Sequence, residues 1–149
     1  MKQRISIKDV QPNAYKAMMG FEKYMAETTL SKPHREMIKI RASQLNGCAY
    51  CIQLHTADAR KLGETEQRIY ALSAWRESPL FTDEERCLLQ ITEEVTLIAN
   101  HGLTDATYQK AKQFFDDVRL SEIIMQVITI NAWNRIAIST RMFHETENI

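Results

Sequence analysis

The sequence predicts an all-α protein of about seven helices, and three observations carry that expectation. Glycine and proline are scarce, at four and three residues. Pro12, Pro33 and Pro79 fall near the starts of apolar-periodic segments, where a missing N–H is harmless. Gly47, Gly63 and Gly102 follow segment ends, as C-terminal caps do. The long stretch from Ser121 to Phe143 holds neither residue.

The first helix is expected from about Pro12 to Thr28, with Tyr15, Met18, Met19, Tyr24 and Met25 facing the core. Gly20 lies inside it and is read as a point where another backbone comes close. Ser31 caps a second helix, Lys32 to Leu45, that stops at Asn46-Gly47. The third starts near Cys48 and stops at Leu62-Gly63. Thr65 caps a fourth through Ile69, Leu72 and Trp75. Thr82-Asp83-Glu84-Glu85 has the form of a capping box and opens a fifth that runs through Leu88, Leu89, Ile91 and Val95 to Ile98. Thr104 opens a sixth to about Asp116, with Tyr108, Ala111, Phe114 and Phe115 inward. Ser121 opens the last. Its run Ile123-Ile124-Met125-Gln126-Val127-Ile128 is rich in β-branched residues, as a strand would be. The unbroken length exceeds the roughly ten residues a strand reaches. Apolar residues on several of its faces mark a helix buried on most sides.

Residues 1–149 read as one domain, long enough to bury a core. Lysine plus arginine balance aspartate plus glutamate at 19 each. That balance gives no reason to expect nucleic acid or an anionic membrane as partner. No stretch has the length of a membrane span, and the N-terminal Met1-Lys2-Gln3-Arg4-Ile5-Ser6 lacks the apolar run of a signal peptide, so the expected location is cytoplasmic. The chain carries no flavin or nicotinamide fingerprint, and its glycines form no phosphate loop, so no cofactor is expected. Apolar residues on more than one face of several helices suggest a homo-oligomer.

The chemistry concentrates in Cys48-Ala49-Tyr50-Cys51, with His55 four residues on and Glu36 twelve before. On a helix, Cys48, Cys51 and His55 fall at i, i+3 and i+7, one face. Asn46-Gly47 ends one helix just before them, so both sulfurs lie in a first turn. There the unpaired N–H groups and the helix dipole favour the thiolate. His55 is placed to take a proton from Cys51, and Glu36, on the preceding helix, to orient His55 or act through a water. Tyr50 reads as packing with a hydroxyl within reach of the relay. Cys87, alone in Arg86-Cys87-Leu88-Leu89, reads as a buried hydrophobe. His34, His101 and His144 read as surface or near-cap residues. A thioredoxin motif lies in a βαβ setting, which this segment lacks. Two thiolates, an imidazole and a carboxylate also make a possible zinc set.

The segment Asn46-Gly47-Cys48-Ala49-Tyr50-Cys51-Ile52-Gln53-Leu54-His55, with Glu36 before it, resembles the alkylhydroperoxidase D-like family of the carboxymuconolactone decarboxylase superfamily. The likeness extends from about Pro33 through Asn131-Ala132-Trp133-Asn134-Arg135. It implies an all-helical homo-oligomer, a dimer, trimer or hexamer, that reduces hydroperoxides with electrons from a dithiol donor. By motif position Cys51 is then the peroxidatic thiol, His55 and Glu36 its proton relay, and Cys48 the resolving sulfur, more open to the reductant. In alkylhydroperoxidase D the residue before the second cysteine is a histidine; here it is Tyr50. The superfamily's decarboxylases lack the cysteine pair. Two further classes stay open beside the peroxidase. One is an enzyme acting on an organic acid or lactone through His55 and Glu36. The other is a metal-binding or purely oligomeric module.

Overall fold

The computed structural model describes residues 2–144 and contains no strand among them. The helices are α1 (Ile7–Val10), α2 (Pro12–Glu27), α3 (Lys32–Asn46), α4 (Ala49–Lys61), α5 (Glu66–Ala71), α6 (Asp83–Thr96), α7 (Ile98–His101), α8 (Asp105–Ala111) and α9 (Asp117–Thr140). A 3-10 turn, Leu72–Ala74, extends α5. No helix of the described residues is long and apolar enough to cross a membrane.

The helix starts follow the capping chemistry of the sequence. Ser31 Oγ accepts the His34 N–H, Thr65 the Arg68 N–H and Thr104 the Thr107 N–H. Thr82 and Glu85 exchange both bonds of the capping box. The last helix starts at Asp117 rather than at Ser121 because Asp116 is its cap, accepting the Arg119 N–H at 2.8 Å. α8 is also shorter than expected: it ends at Ala111 with Lys112 as its C-cap, and the chain turns before it reaches the extended Asp116. The fifth expected helix stops at Thr96, where Leu97 leaves helical geometry, and Ile98 is exposed rather than core. α1 went unread because it is one turn with no buried residue and hence no periodicity.

α9 is the axis of the fold, packed by α3, α6 and α2. Ile123, Val127 and Ile130 are fully buried in it, each contributing about 1.5–3 kcal/mol of apolar transfer. The strand propensity of this run is overridden by burial around the helix. α3 packs on α4, α9 and α6 at once, which brings Glu36 into the protein. Only part of the expected α2 face is inward: Met25 is buried, while Met19 and Tyr24 are exposed. Gly20 is no close approach either, for a Cβ there would meet no atom of another segment within 4 Å among the described residues.

Polar ties set the helix register. Glu122 of α9 accepts the Thr29 backbone N–H at 3.0 Å and its hydroxyl at 2.8 Å, holding the α2–α3 link. Glu93 of α6 gathers Arg41 of α3 (2.7 Å), the Trp75 indole N–H (2.8 Å) and Arg76. Burial pushes the Glu93 carboxyl up, but hydrogen bonds from Trp75, Arg76 and Arg41 more than offset this and leave it below its ordinary value. Cys87 is buried in α6 as a small hydrophobe, its thiol pushed up by burial.

Candidate active site

The α3–α4 turn fixes the two sulfurs. Gly47 adopts the left-handed φ of 69° that ends α3 at no steric cost. The Cys48 N–H then returns to the Ser43 carbonyl at 2.9 Å. Asn46 anchors the turn to α9, its amide donating to Asn131 Oδ1 (3.0 Å) and Asn134 Oδ1 (2.8 Å). α4 therefore starts at once, with Cys48 as its N-cap.

Cys48 Sγ does what a serine oxygen does at an N-cap. It accepts the Cys51 N–H at 3.4 Å. The two sulfurs, both of free cysteines, lie 2.6 Å apart and share one thiol proton. The sequence places both sulfurs where a thiolate is favoured; the structure separates them. The Cys51 thiol hydrogen bond lowers Cys48 to about 7 against the burial that opposes it, helped by the Cys51 N–H and the Asn134 amide. Cys51, as donor to that sulfur and buried beside its charge, is pushed strongly up. Cys48 is 1% exposed and Cys51 4%, so the expectation that Cys48 is the more open sulfur does not hold. It caps a helix from the inside, while Cys51 meets a cavity.

That cavity, about 300 Å³, is walled by Cys51, Tyr50, Leu54, His55, Trp133 and Met142 among others. His55 follows Cys51 by four residues on α4 and faces the same space. Its Nδ1–H donates to Glu36 Oε2 at 3.0 Å, and Lys39 Nζ donates to Glu36 Oε1 at 2.9 Å. Burial pushes Glu36 up, but the His55 hydrogen bond and the Lys39 charge prevail and hold it below its ordinary value. The structure thus brings together Cys48 with Cys51, and His55 with Glu36. No hydrogen bond joins the two pairs among the described residues. They meet through the cavity wall.

Several residues here escaped the sequence reading. Asn134 and Ser43 lie beside the sulfurs and favour their thiolates. The signal was present, because Asn131 and Asn134 are polar residues in a helix otherwise apolar on most sides. His144, read as a surface residue, stacks on Tyr50 at 4.0 Å with planes 4° apart. Its Nε2–H donates to the Tyr50 carbonyl at 3.0 Å. A histidine from the far end of the chain thus covers the residue between the cysteines, and no local motif could announce that. Asp58 joins Glu36 and His55 in a group whose ligand atoms lie within 4.8 Å of one another. Neither sulfur belongs to that group, so the four-ligand zinc set considered from the sequence is not gathered.

A titration checks the sulfur pair. The reduced protein is expected to gain one thiolate near pH 7, seen in ultraviolet thiolate absorbance. The next is expected only above the ordinary cysteine value of about 8.5. Cys48→Ser should abolish the first step; a wild-type chain whose first step lies above that value contradicts the geometry. The sign for stability follows. The folded Cys48 pKa lies below the unfolded one, so its contribution is complete above the unfolded value and is lost as pH falls through about 7.

Residues 12–94 match the Carboxymuconolactone decarboxylase family. The uncharacterized protein YdfG of Bacillus subtilis (strain 168) is 43% identical over 139 residues, covering 93% of this chain and 95% of that one. A crystal structure from Agrobacterium tumefaciens, of a protein of unknown function described as a candidate antioxidant defence protein AhpD, superposes with a TM-score of 0.95 at 39% identity. The match covers 98% of this chain and 100% of that one. An uncharacterized peroxidase-related protein from Silicibacter sp. TM1040 gives a TM-score of 0.79 at 26% identity, covering 89% of this chain and 70% of that one. The chain belongs to the carboxymuconolactone decarboxylase family, among its alkylhydroperoxidase D-like members.

Proposed function

We propose that the protein is a thiol-dependent peroxidase of antioxidant defence, reducing hydroperoxides through Cys51 and Cys48. The observation that carries this is the sulfur pair at the α4 start, with Cys51 on a cavity whose wall also holds the Glu36-bound His55. In the resting pair the negative charge sits on Cys48 and the remaining proton on Cys51. That proton crosses the short S···S contact to Cys48, leaving a Cys51 thiolate at the cavity. The thiolate attacks the terminal oxygen of the hydroperoxide; an S–O bond forms and the O–O bond breaks. The alkoxide leaves and takes a proton from His55, whose ring Glu36 orients through Nδ1. The Cys51 sulfenic acid is then attacked by Cys48, which releases water and forms a disulfide. An external dithiol restores the pair by thiol–disulfide exchange. The balance is two thiols and a hydroperoxide to one disulfide, one alcohol and one water.

The working form is a homo-oligomer, a reading supported by the exposed apolar side chains Met19, Phe21 and Tyr24 of α2 and Ile128 and Ile138 of α9. Thiol counting tests the chemistry. One equivalent of an alkyl hydroperoxide should take the three thiols of the reduced chain to one, and dithiothreitol should return all three. If all three persist while an organic acid or lactone is turned over, acid–base chemistry at His55 and Glu36 is the function instead.

A further inference from the structure

A second cavity, about 340 Å³, opens between α2, α3, α4 and α9 and shares the wall residues Glu22, Lys39 and Asp58 with the sulfur cavity. Gln126 of α9 lines it. This side chain is 0% exposed, and neither its amide nitrogen nor its amide oxygen has a hydrogen-bond partner among the described residues. Buried amides are almost always satisfied, so an unpartnered one on a cavity wall marks a place where something polar belongs.

The charges around Gln126 indicate what that is. The carboxylates of the wall already have donors: Glu36 is held by His55 and Lys39, Asp58 by Lys61 at 2.8 Å, and Glu22 by the Trp133 indole N–H at 2.8 Å. Lys32 and Arg35 face the same cavity with no carboxylate partner among the described residues. Arg35 gives one N–H to the Met25 carbonyl, which fixes the guanidinium and leaves its other donors available. An oriented guanidinium, a lysine at the rim and an orphan amide together suit a carboxylate.

We propose that this cavity holds the carboxylate of the molecule that reacts at Cys51, which makes hydroperoxides of organic acids the substrate class. The proposal rests on the thiol-peroxidase reading and deepens it. The carboxylate accepts from Arg35 and from Gln126 Nε2, and Gln126 Oε1 takes a donor from the ligand or its hydration water. Along α9, Gln126 and Trp133 are seven residues apart, a rise of about 10 Å, and Trp133 walls the sulfur cavity. A medium-length carbon chain covers that distance with its hydroperoxide beside Cys51. The step there is unchanged: the O–O bond breaks, the terminal oxygen passes to Cys51 and the rest leaves as the hydroxy acid.

The test compares ω-hydroperoxyoctanoate with its methyl ester. Wild-type kcat/KM should favour the acid by about tenfold, the scale of one hydrogen bond to a charged group. Gln126→Leu and Arg35→Gln should each bring the ratio toward one by lowering kcat/KM on the acid more than on the ester. A wild-type ratio of one, or a ratio that neither variant changes, overturns the proposal. Calorimetry with octanoate reads the site without turnover. Wild type should bind it and Gln126→Leu should bind it about tenfold more weakly; absence of binding to wild type, or equal binding by the variant, also overturns the proposal. If octanoate binds in a Gln126-dependent way and neither hydroperoxide is reduced, the carboxylate site stands and the peroxidase reading falls.

Discussion

Replacing Cys51 by serine is expected to lower hydroperoxide turnover by at least about a thousandfold, the scale on which removing a catalytic nucleophile acts. Replacing Cys48 is expected to stop turnover by another route. A serine at position 48 can still cap α4, because the hydroxyl accepts the Cys51 N–H as the sulfur does. The fold should therefore survive. With the Cys48 thiolate gone, the hydrogen bond and charge that push Cys51 up disappear, and Cys51 ionises at lower pH than in wild type. It should then react once with hydroperoxide and stop as a sulfenic acid that dimedone traps. Mass spectrometry of the two variants separates the roles: a single dimedone adduct on Cys51 in Cys48→Ser, and none on Cys48 in Cys51→Ser. An adduct on Cys48 in the second variant reverses the assignment.

The asymmetry behind that experiment was only half legible in the sequence. Spacing alone placed Cys48, Cys51 and His55 on one helix face, and Asn46-Gly47 located the helix start. The hairpin of α3 on α4 then brings Glu36 to His55, as expected from a carboxylate on the preceding helix. Which sulfur carries the charge depends on one residue of register. Cys48 is the cap and Cys51 the third residue of the helix, and element boundaries read from sequence are not that fine. The roles of Asn134, Trp133, Met142 and His144 depend on how α9 and the chain after it fold back over α4. Nothing near the cysteines encodes that. The same limit explains the helix ends that moved. Asp116 outcompetes Ser121 as a cap by its geometry, and both are good caps by type.

Glu93→Ala is expected to destabilise the fold by about 3–5 kcal/mol, the largest stability effect of any single substitution considered. The carboxylate is nine-tenths buried and binds Arg41 of α3 together with Trp75 and Arg76 of the segment after the 3-10 turn. Deleting it strands the Arg41 guanidinium, itself mostly buried, and leaves the indole N–H without its acceptor. The loss is thus the cost of an unpaired charge and an unpaired donor, and it exceeds the worth of any one bond. For a chain of this size it should lower the melting temperature by roughly 6–20 °C. Acid supplies a second signature. The folded Glu93 pKa lies below its unfolded value, so its contribution is complete above the ordinary carboxylate range and is lost as pH falls through the folded value. The gap between wild type and Glu93→Ala should therefore narrow in urea melts as the pH is taken below about 4.5. A gap below about 1 kcal/mol at neutral pH would place Glu93 among surface ion pairs, and the tie between α3 and α6 would then rest on apolar packing alone.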